Sequence, residues 1–482
     1  MGRSRSIRQT VPDTVRCRRS CDRRAWQDPQ RTHQGRRGNA SRDPEHLRAF
    51  LPRGSPQGTG RWRCLRRQES GHALSETHAQ SNPAYLTRGQ EFALAVTAAV
   101  VIANAYYIHP IIGEVAAHFG VSEARIGIVP ALNQLALAVG ILLLLPLGDI
   151  YSNRSLCIIF VSAQSLFMLG MVMAESFVLF TLSSTLLGFV TIAPYLIPAF
   201  ASKRVSPDRL GQVTALLTVG VIFGILVARV GAGVVAEQFG WRAVYWCAFV
   251  LMAATTALLP ITFRSEGSSA KQPRTGYGAL LASVFTLAKS NKDMLISGLI
   301  QGLNFAAFTA TWLALALHLT SDELGYGVDT VGYLAGVSAI SLFTTARLGK
   351  IADRIGARRA RLLAAVVQMV GIALMYPLGW NAWAVMVPLV ITNIVGPSID
   401  VTGRMTYLSL EPAIRTRLTT TYIVIMFIGG ALGSVLGTSI YDYGGWLGTC
   451  VLLLAISSGV VALSYYAQFA WDRRSQSAGD TR

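Results

Sequence analysis

Long apolar segments recur at intervals of roughly 30 to 40 residues from about residue 90 almost to the C-terminus. Each is about 20 residues long, which lets a single helix cross a hydrocarbon core of about 30 Å. The pattern predicts an all-α, polytopic membrane protein and excludes most soluble enzyme chemistry. We count twelve such segments, called spans 1 to 12: 91–113, 126–147, 155–175, 177–200, 211–236, 241–262, 294–318, 329–347, 360–379, 383–404, 417–438 and 444–467.

The composition agrees with a membrane protein once the basic N-terminal region is set apart. The chain is 52% hydrophobic and only 14% charged, both shifted from the average of soluble domains toward the membrane class. Its net charge of +18 is uneven, because residues 1–88 contain 19 Arg, no Lys and 7 acidic residues. The remaining 394 residues carry 24 basic and 18 acidic groups, so most of the excess charge lies outside the spans.

Residues 1–88 form an arginine-rich leader that we expect to be disordered, because it has too few apolar residues to build a core. Three interpretations stay open: an over-extended translation start, a disordered tail, or an arm that binds anionic lipid or nucleic acid. We expect no nucleic-acid partner. Cys17 and Cys21, with His33 and His46, resemble a zinc site only loosely. The sequence therefore predicts no metal and no cofactor.

Basic residues in the connections predict the orientation. The connections after even-numbered spans, including the linker after span 6, carry eighteen Lys and Arg residues, whereas the opposite set carries only Arg125 and Arg242. This asymmetry predicts that the even-numbered connections and both termini face the cytoplasm. The expected location is the plasma (inner) membrane, which the chain crosses many times.

The longest connection divides the chain into two halves of six spans. We predict an N-terminal bundle over 89–262, a cytoplasmic linker over 263–293, a C-terminal bundle over 294–470 and a tail over 471–482. In the linker, one predicted helical face carries an apolar stripe of Tyr277, Leu280, Leu281, Val284 and Phe285. This stripe favours a short amphipathic helix at the headgroup layer. A solvated spacer is the alternative.

The two halves repeat a charged pattern in equivalent connections. The connection after span 8 reads GKIADRIGARR and contains Gly349, Asp353, Arg354, Gly356 and Arg358. The connection after span 2 reads LPLGDIYSNRS, in which Arg154 follows Asp149 by five residues, as Arg358 follows Asp353. A duplication with the same topology indicates a transporter built from two pseudo-equivalent bundles.

Over residues 88–470 these features resemble the major facilitator superfamily. Its signature loop, G-x-x-x-D-[RK]-x-G-[RK]-[RK], is well matched after span 8, whereas Leu145, Ile150, Ser152 and Asn153 depart from it after span 2. The resemblance implies twelve helices in two pseudo-symmetric six-helix bundles. It also implies that these residues, called the latch residues, hold the bundles together on the cytoplasmic side: Asp149, Arg154, Gly349, Asp353, Arg354, Gly356 and Arg358.

More specifically, the chain resembles proton-coupled bacterial exporters of drugs and metabolites. The segment NAYYIHPII in span 1 is similar to a Tyr-Tyr-x-Gln-Pro-Leu-Leu motif, with His109 in the glutamine position. Span 5 is similar to the glycine motif of antiporters, although Ile225 replaces a proline. Its residues of interest are Gly220, Gly224, Arg229, Gly231 and Gly233. Glycines at this spacing favour close helix packing in lipid.

Spans 1, 4, 7 and 10 line the cavity in this superfamily, and their polar residues are therefore candidates for substrate contacts. Each could equally form a hydrogen bond between helices. The candidate cavity residues are Asn104, Tyr106, Tyr107, Tyr195, Gln301, Asn304 and Trp312. Proline residues in spans 4 and 10 (Pro194, Pro198 and Pro397) predict kinks.

Three titratable residues are candidates for proton coupling: His109, Asp400 and Glu114. For His109 the alternative is a hydrogen-bonded histidine near the outer surface. For Asp400 the first explanation is an ion pair with Arg404 at (i, i+4) spacing. Arg229 would either pair with Glu114 or Glu237, or contact an anionic substrate.

Taken together, the residues and the resemblance predict a secondary active transporter that works by alternating access. We expect proton-coupled export of small amphipathic molecules by a monomer, and no enzymatic activity, because no catalytic constellation or nucleotide-binding loop is present in the sequence. The alternative is a proton- or ion-coupled importer of a small organic solute such as a sugar, organic acid or amino acid.

Overall fold

The computed structural model describes residues 85–202, 204–206, 208–263, 277–407 and 412–479. The predicted leader and the polar start of the linker lie outside these residues. In the first half the helices are Arg88–Ala103, Ile108–Phe119, Glu123–Ile126, Ile128–Leu144, Asn153–Val172, Phe177–Val190, Ala193–Ser202, Leu210–Phe239 and Trp241–Thr262, with a 3₁₀ helix at Leu145–Asp149. The linker contains the helix Tyr277–Ser290. In the second half the helices are Lys292–Leu319, Val328–Gly336, Ile340–Ile355, Ala357–Ala373, Met375–Leu378, Met386–Met405 and Pro412–Gly479, with a 3₁₀ helix at Val337–Ala339.

Ten helical stretches within the described residues are long and apolar enough to cross a membrane. One of them, Arg417–Ala470, has 54 residues and is interrupted by non-helical backbone at Gly445, so it accounts for both span 11 and span 12. Span 9 is the 17-residue helix Ala357–Ala373, which is not among the ten. Helix therefore occupies every one of the twelve predicted spans.

Span 1 is two helices rather than the one continuous helix that its apolar pattern predicts. The first ends at Ala103 and the second begins at Ile108. Between them the amides of Ala105, Tyr106 and His109 bond to carbonyls three residues earlier. Pro110 explains the change, because it has no N–H for the carbonyl of Tyr106 and its ring crowds that carbonyl. The interruption lies next to Tyr106 and His109, both of which are buried.

The predicted kink in span 4 is present, whereas span 10 is uninterrupted. Span 4 breaks between Val190 and Ala193, next to its two prolines. The span 10 helix Met386–Met405 continues through Pro397. There the proline removes the helical donor for the carbonyl of Asn393.

The connection after span 8 is shorter than the sequence suggests. The helix Ile340–Ile355 extends beyond residue 347, and the next helix starts at Ala357. Gly349, Asp353 and Arg354 therefore lie on a helix and not in a loop, which corrects the prediction from the sequence. Only Gly356, with φ of 93°, separates the two helices, and this conformation favours glycine.

The two halves contact each other closely at the side where odd-numbered spans end, called here the far side. Ser434 of span 11 donates a hydrogen bond from Oγ to the carbonyl of Gly127, at the start of span 2, at 2.7 Å. The backbone N–H of Val328 donates to Glu237 Oε2 at 2.8 Å, which joins spans 8 and 5. A Cβ placed on Gly113 of span 1 would lie 3.2 Å from Thr320 Oγ1, beyond span 7.

The linker helix packs on the opposite side, called the terminus side. Val284 and Ala288 are buried, and the hydroxyl of Tyr277 donates to the carbonyl of Leu143, at the end of span 2, at 2.6 Å. Phe285 points away from the protein and is half exposed. The helix predicted from the apolar stripe is thus present, with part of the stripe packed against the protein.

Candidate functional site

A cavity of about 260 Å³ lies between the two halves of the molecule. Span 7 contributes the largest share of its wall, with further residues from spans 1, 5, 9, 10 and 11. The wall is mostly apolar, with a small number of polar side chains, as expected of a site for small organic ligands. The polar and aromatic lining residues are Tyr106, Gln301, Asn304, Phe305, Phe308, Thr311, Trp312, Gln368, Thr392, Asn393 and Asp400.

The structure brings together some of the candidate residues and separates others. Four of the seven candidate cavity residues line this cavity, and so does one of the three proton-coupling candidates: Tyr106, Gln301, Asn304, Trp312 and Asp400. The others lie elsewhere in the protein, in buried or half-buried positions that do not form its wall: Asn104, Tyr107, Tyr195, His109 and Glu114.

A connected set of amides forms one wall of the cavity. Gln368 Nε2 donates to Asn304 Oδ1 at 2.9 Å, and Asn304 Nδ2 lies within hydrogen-bonding distance of Gln301 Oε1 (3.2 Å) and the carbonyl of Gly396 (3.3 Å). Asn304 is therefore the centre of this network. Gln368 was not identified from the sequence, because span 9 was not expected to line the cavity, and Asn393 in span 10 was not singled out. The sequence signal that could have identified both residues is a single amide side chain inside an apolar span.

Asp400 forms the predicted ion pair with Arg404. Nε of Arg404 lies 3.0 Å from Oδ1 and 3.1 Å from Oδ2 of the aspartate, one helical turn apart on span 10. The guanidinium also lies 5.2 Å from the centre of the Tyr422 ring. Asp400 is the carboxylate that reaches the cavity wall, so the pair joins a local electrostatic contact to the candidate site.

Arg229 is buried behind the same wall and has no carboxylate partner among the described residues. Three ring centres surround its guanidinium carbon: Phe308 at 4.6 Å, Trp312 at 4.8 Å and Tyr106 at 5.2 Å. Of the two alternatives for Arg229, the pairing with Glu114 or Glu237 is therefore absent from the described residues. The aromatic rings stabilise the cation through their π faces instead.

His109 also contacts the Tyr106 ring. The two ring centres are 5.3 Å apart in an edge-to-face arrangement, and the histidine is almost completely buried. Neither ring nitrogen has a hydrogen-bond partner in the described part of the chain. The alternative of a hydrogen-bonded histidine near the surface is thus not what the structure shows.

The latch residues differ in how they are held. Arg358 pairs with Asp293 at 3.2 Å, at the start of span 7, and Arg154 donates to the carbonyl of Pro260 at 3.4 Å. Neither contact joins the two halves: the first lies within the second half of the molecule, and the second lies within the first half. Asp353 and Arg354 are exposed, and the side chain of Asp149 lies outside the described residues.

Three of the four glycines in span 5 serve close packing, as predicted, but Gly231 does not. A Cβ on Gly220 would lie 2.7 Å from the carbonyl oxygen of Ala95, and one on Gly224 would collide with Ala99, both in span 1. A Cβ on Gly233 would lie 2.8 Å from the Cα of Gly332, across the boundary between the halves. Nothing described lies within 4 Å of the corresponding position on Gly231.

In the residues that the structure describes, no group of three or more His, Cys, Asp or Glu side chains is placed to hold a metal ion.

Related sequences are transporters or are named as such. The chain is 27% identical over 358 residues to an uncharacterized transporter, YgaY, of Escherichia coli O157:H7, covering 74% of this chain and 90% of that protein. It is 30% identical over 373 residues to the probable transporter SCO4007 of Streptomyces coelicolor, covering 74% of this chain and 83% of that protein. A shorter match is to the multidrug resistance protein MdtG of Citrobacter koseri. It is 26% identical over 212 residues and covers 43% of this chain and 51% of that protein.

Solved structures show the same fold. The nucleoside transporter NupG superposes with a TM-score of 0.64 at 14% sequence identity, covering 79% of this chain and 99% of that protein. The family profile described as Major Facilitator Superfamily matches residues 94–409 and again residues 297–481. With the twelve helical spans and the cavity between two halves, these matches establish that the chain belongs to the major facilitator superfamily of transporters.

Proposed function

We propose that this transporter exports small amphipathic molecules in exchange for protons, by alternating access to the cavity between its two halves. The observation that carries the proposal is the cavity itself. It combines apolar and aromatic walls with an amide network and a carboxylate at Asp400. Such walls suit ligands with an apolar body and one or two polar groups.

The direction of transport is supported by the similarity to MdtG, whose name describes a multidrug resistance protein. The glycine motif of span 5 points the same way, since Gly220 and Gly224 pack span 5 tightly against span 1. Tight packing between these helices would limit proton leakage while the halves move.

The contacts between the halves support alternating access. Hydrogen bonds join them on the far side, where Ser434 meets Gly127 and Val328 meets Glu237. If the distribution of basic residues sets the orientation, the far side is extracellular and both termini are cytoplasmic. The structure would then represent the state closed to the outside of the plasma membrane.

Asp400 is our choice for the proton-carrying residue, because it is the carboxylate on the cavity wall. In the proposed cycle the carboxylate exchanges its contact with Arg404 for a proton when the cavity faces the more acidic side. Substrate binding on the opposite side then favours release of the proton. Glu114 lies outside the cavity wall and is a weaker candidate.

Dissipation of a pH gradient in everted membrane vesicles tests this function. Vesicles containing the protein would be challenged with amphipathic drugs, sugars and amino acids, with vesicles lacking the protein as the control. The proposal predicts that amphipathic compounds release protons only when the protein is present. Silence across the panel, combined with uptake of a polar solute by whole cells, would favour the importer alternative, which the amide network would also suit.

A further inference from the structure

The most unusual polar group in the membrane region is the guanidinium of Arg229. The side chain is 1% exposed, and three aromatic rings that line the cavity surround it. Tyr106 belongs to the first half of the molecule, whereas Phe308 and Trp312 belong to the second. The cation thus contacts three rings of the cavity wall without lining the cavity itself, and lies at the boundary between the halves.

Two of the three nitrogens of this guanidinium lack a hydrogen-bond partner in the described part of the chain. Neither Nε nor Nη2 has a partner among the described residues. Arg361, the other fully buried arginine, also has an Nε without a described partner, but it donates from Nη1 to Ser297 Oγ at 2.8 Å. Aromatic faces stabilise the charge of Arg229, but they provide no lone pairs for N–H groups that lie in the guanidinium plane.

An unpaired charge at this depth is costly, and an arginine retained there is expected to meet a partner during the working cycle. The group that fits a guanidinium best is a planar oxyanion, which accepts two parallel N–H···O bonds. One guanidinium balances one negative charge. A monoanionic carboxylate therefore fits better than a dianionic phosphate, which would leave an uncompensated charge in an apolar site.

A second unsatisfied donor lies next to this position. His109 contacts the same Tyr106 ring and is also 1% exposed, and both of its ring nitrogens lack partners among the described residues. A neutral imidazole has one N–H to donate. Arg229 and His109 together offer donors around one aromatic ring of the cavity wall.

We propose that the substrate is an amphipathic carboxylate whose anionic group binds Arg229, with His109 as an additional donor. The apolar body of the ligand would lie against Phe308 and Trp312, and its other end would reach the amides of Gln368 and Asn304. This inference rests on the proposed transport through the cavity and adds the substrate class. Because the surrounding residues come from both halves, the bound anion would link substrate binding to the contact between them.

Binding to the purified protein in detergent tests the proposal without any proton gradient. Isothermal titration would compare pairs of isosteric probes, a carboxylate and its primary amide, beginning with 3-phenylpropionate and 3-phenylpropanamide and continuing with longer aryl and alkyl chains. The wild-type protein should bind the carboxylate of at least one pair about tenfold or more tightly than its amide, the size expected of a charge-assisted hydrogen bond. If no carboxylate in the series binds better than its amide, the proposal is wrong.

Variants locate the anion site. R229Q should remove the preference for the carboxylate, and R229K should retain part of it because the charge is kept without the planar fork. R361Q is the matched control, since it changes a buried arginine away from the cavity, and it should leave the preference unchanged. Size-exclusion profiles would show which variants remain folded. A carboxylate preference that survives in folded R229Q would overturn the assignment.

Failure of the anion site and failure of proton-coupled export give different results in these experiments. Carboxylate binding through Arg229 without proton release in vesicles would contradict proton-coupled export and leave the anion site intact. Proton release driven equally by neutral or cationic compounds and by carboxylates, with no effect of R229Q, would support export and contradict the anion site.

Discussion

Single residues in the cavity differ in how firmly the protein holds them. Asn304 accepts a hydrogen bond from Gln368, and its amide group lies near Gln301 and the carbonyl of Gly396. Asn393, in the same cavity wall, donates only to the carbonyl of Leu389 on its own helix, at 2.8 Å. Two asparagines of the same cavity wall therefore have different structural roles.

We expect Asn304→Leu to destabilise the protein more than Asn393→Leu. The first change leaves the buried amide of Gln368 without its acceptor, which costs about 1–3 kcal/mol, whereas the second removes a bond within one helical turn. Thermal unfolding of both variants in detergent measures the difference. Equal midpoints would show that the amide network adds little to stability.

Asp400→Asn should abolish substrate-driven proton release, because an amide cannot carry the coupled proton. A purely structural ion pair predicts something else. If the ion pair were purely structural, the defect of Asp400→Asn would come from the uncompensated charge of Arg404. The double variant Asp400→Asn with Arg404→Gln should then recover activity. We expect no recovery. Restored proton release in the double variant, measured in everted vesicles, would return Asp400 to a structural role.

How far the sequence predicts the site can be judged from these residues. The ion pair of Asp400 followed from its (i, i+4) spacing with Arg404, which is a local property of one helix. The surroundings of Arg229 did not follow, because Phe308 and Trp312 come from the other half of the chain and no local pattern relates them. Gln368 was missed for the same reason, since its contact with Asn304 depends on how spans 7 and 9 pack.

At the level of helices, glycine and proline decide where spans approach and where they break. Pro110 converts span 1 into two helices, and Gly233 lets span 5 touch Gly332 of span 8. The sequence predicted the position of all twelve spans, because length and hydropathy are local. It did not predict the break in span 1 or the extension of span 8 through Asp353.

Gly233→Ala should slow transport at least about tenfold, whereas Gly231→Ala should have little effect. A methyl group on Gly233 would meet the Cα of Gly332 at 2.8 Å and hold spans 5 and 8 apart, and close packing leaves no room for it. A methyl group on Gly231 would meet nothing described within 4 Å. Initial rates of transport in vesicles, normalised to expression, compare the two. Equal rates would contradict a packed far-side contact between the halves.

For the whole molecule, alternating access requires two halves that move relative to each other. The exposed position of Asp353 at the end of its helix would allow an ion pair to form in one state and break in the other. The equivalent Asp149 lies at the end of the 3₁₀ helix Leu145–Asp149.

We expect Asp353→Asn and Asp149→Asn to lower the turnover rate with little change in substrate affinity or expression. The carboxylates would stabilise one conformation and would not touch the ligand. Transport rates measured over a range of substrate concentrations separate the two effects. Normal turnover in the double variant would remove the latch role from these residues.

Alternating access itself is tested most directly by distances across the two ends of the molecule. In a cysteine-free background, spin labels would be placed at Met173→Cys and Tyr443→Cys on the far side, and at Tyr151→Cys and Ile355→Cys on the terminus side, all of them exposed positions. Pulsed dipolar spectroscopy would record both distances with and without a carboxylate that binds and at two pH values. Alternating access predicts that the far-side distance lengthens as the terminus-side distance shortens. Distances that stay constant, or that change together in the same direction, would contradict it.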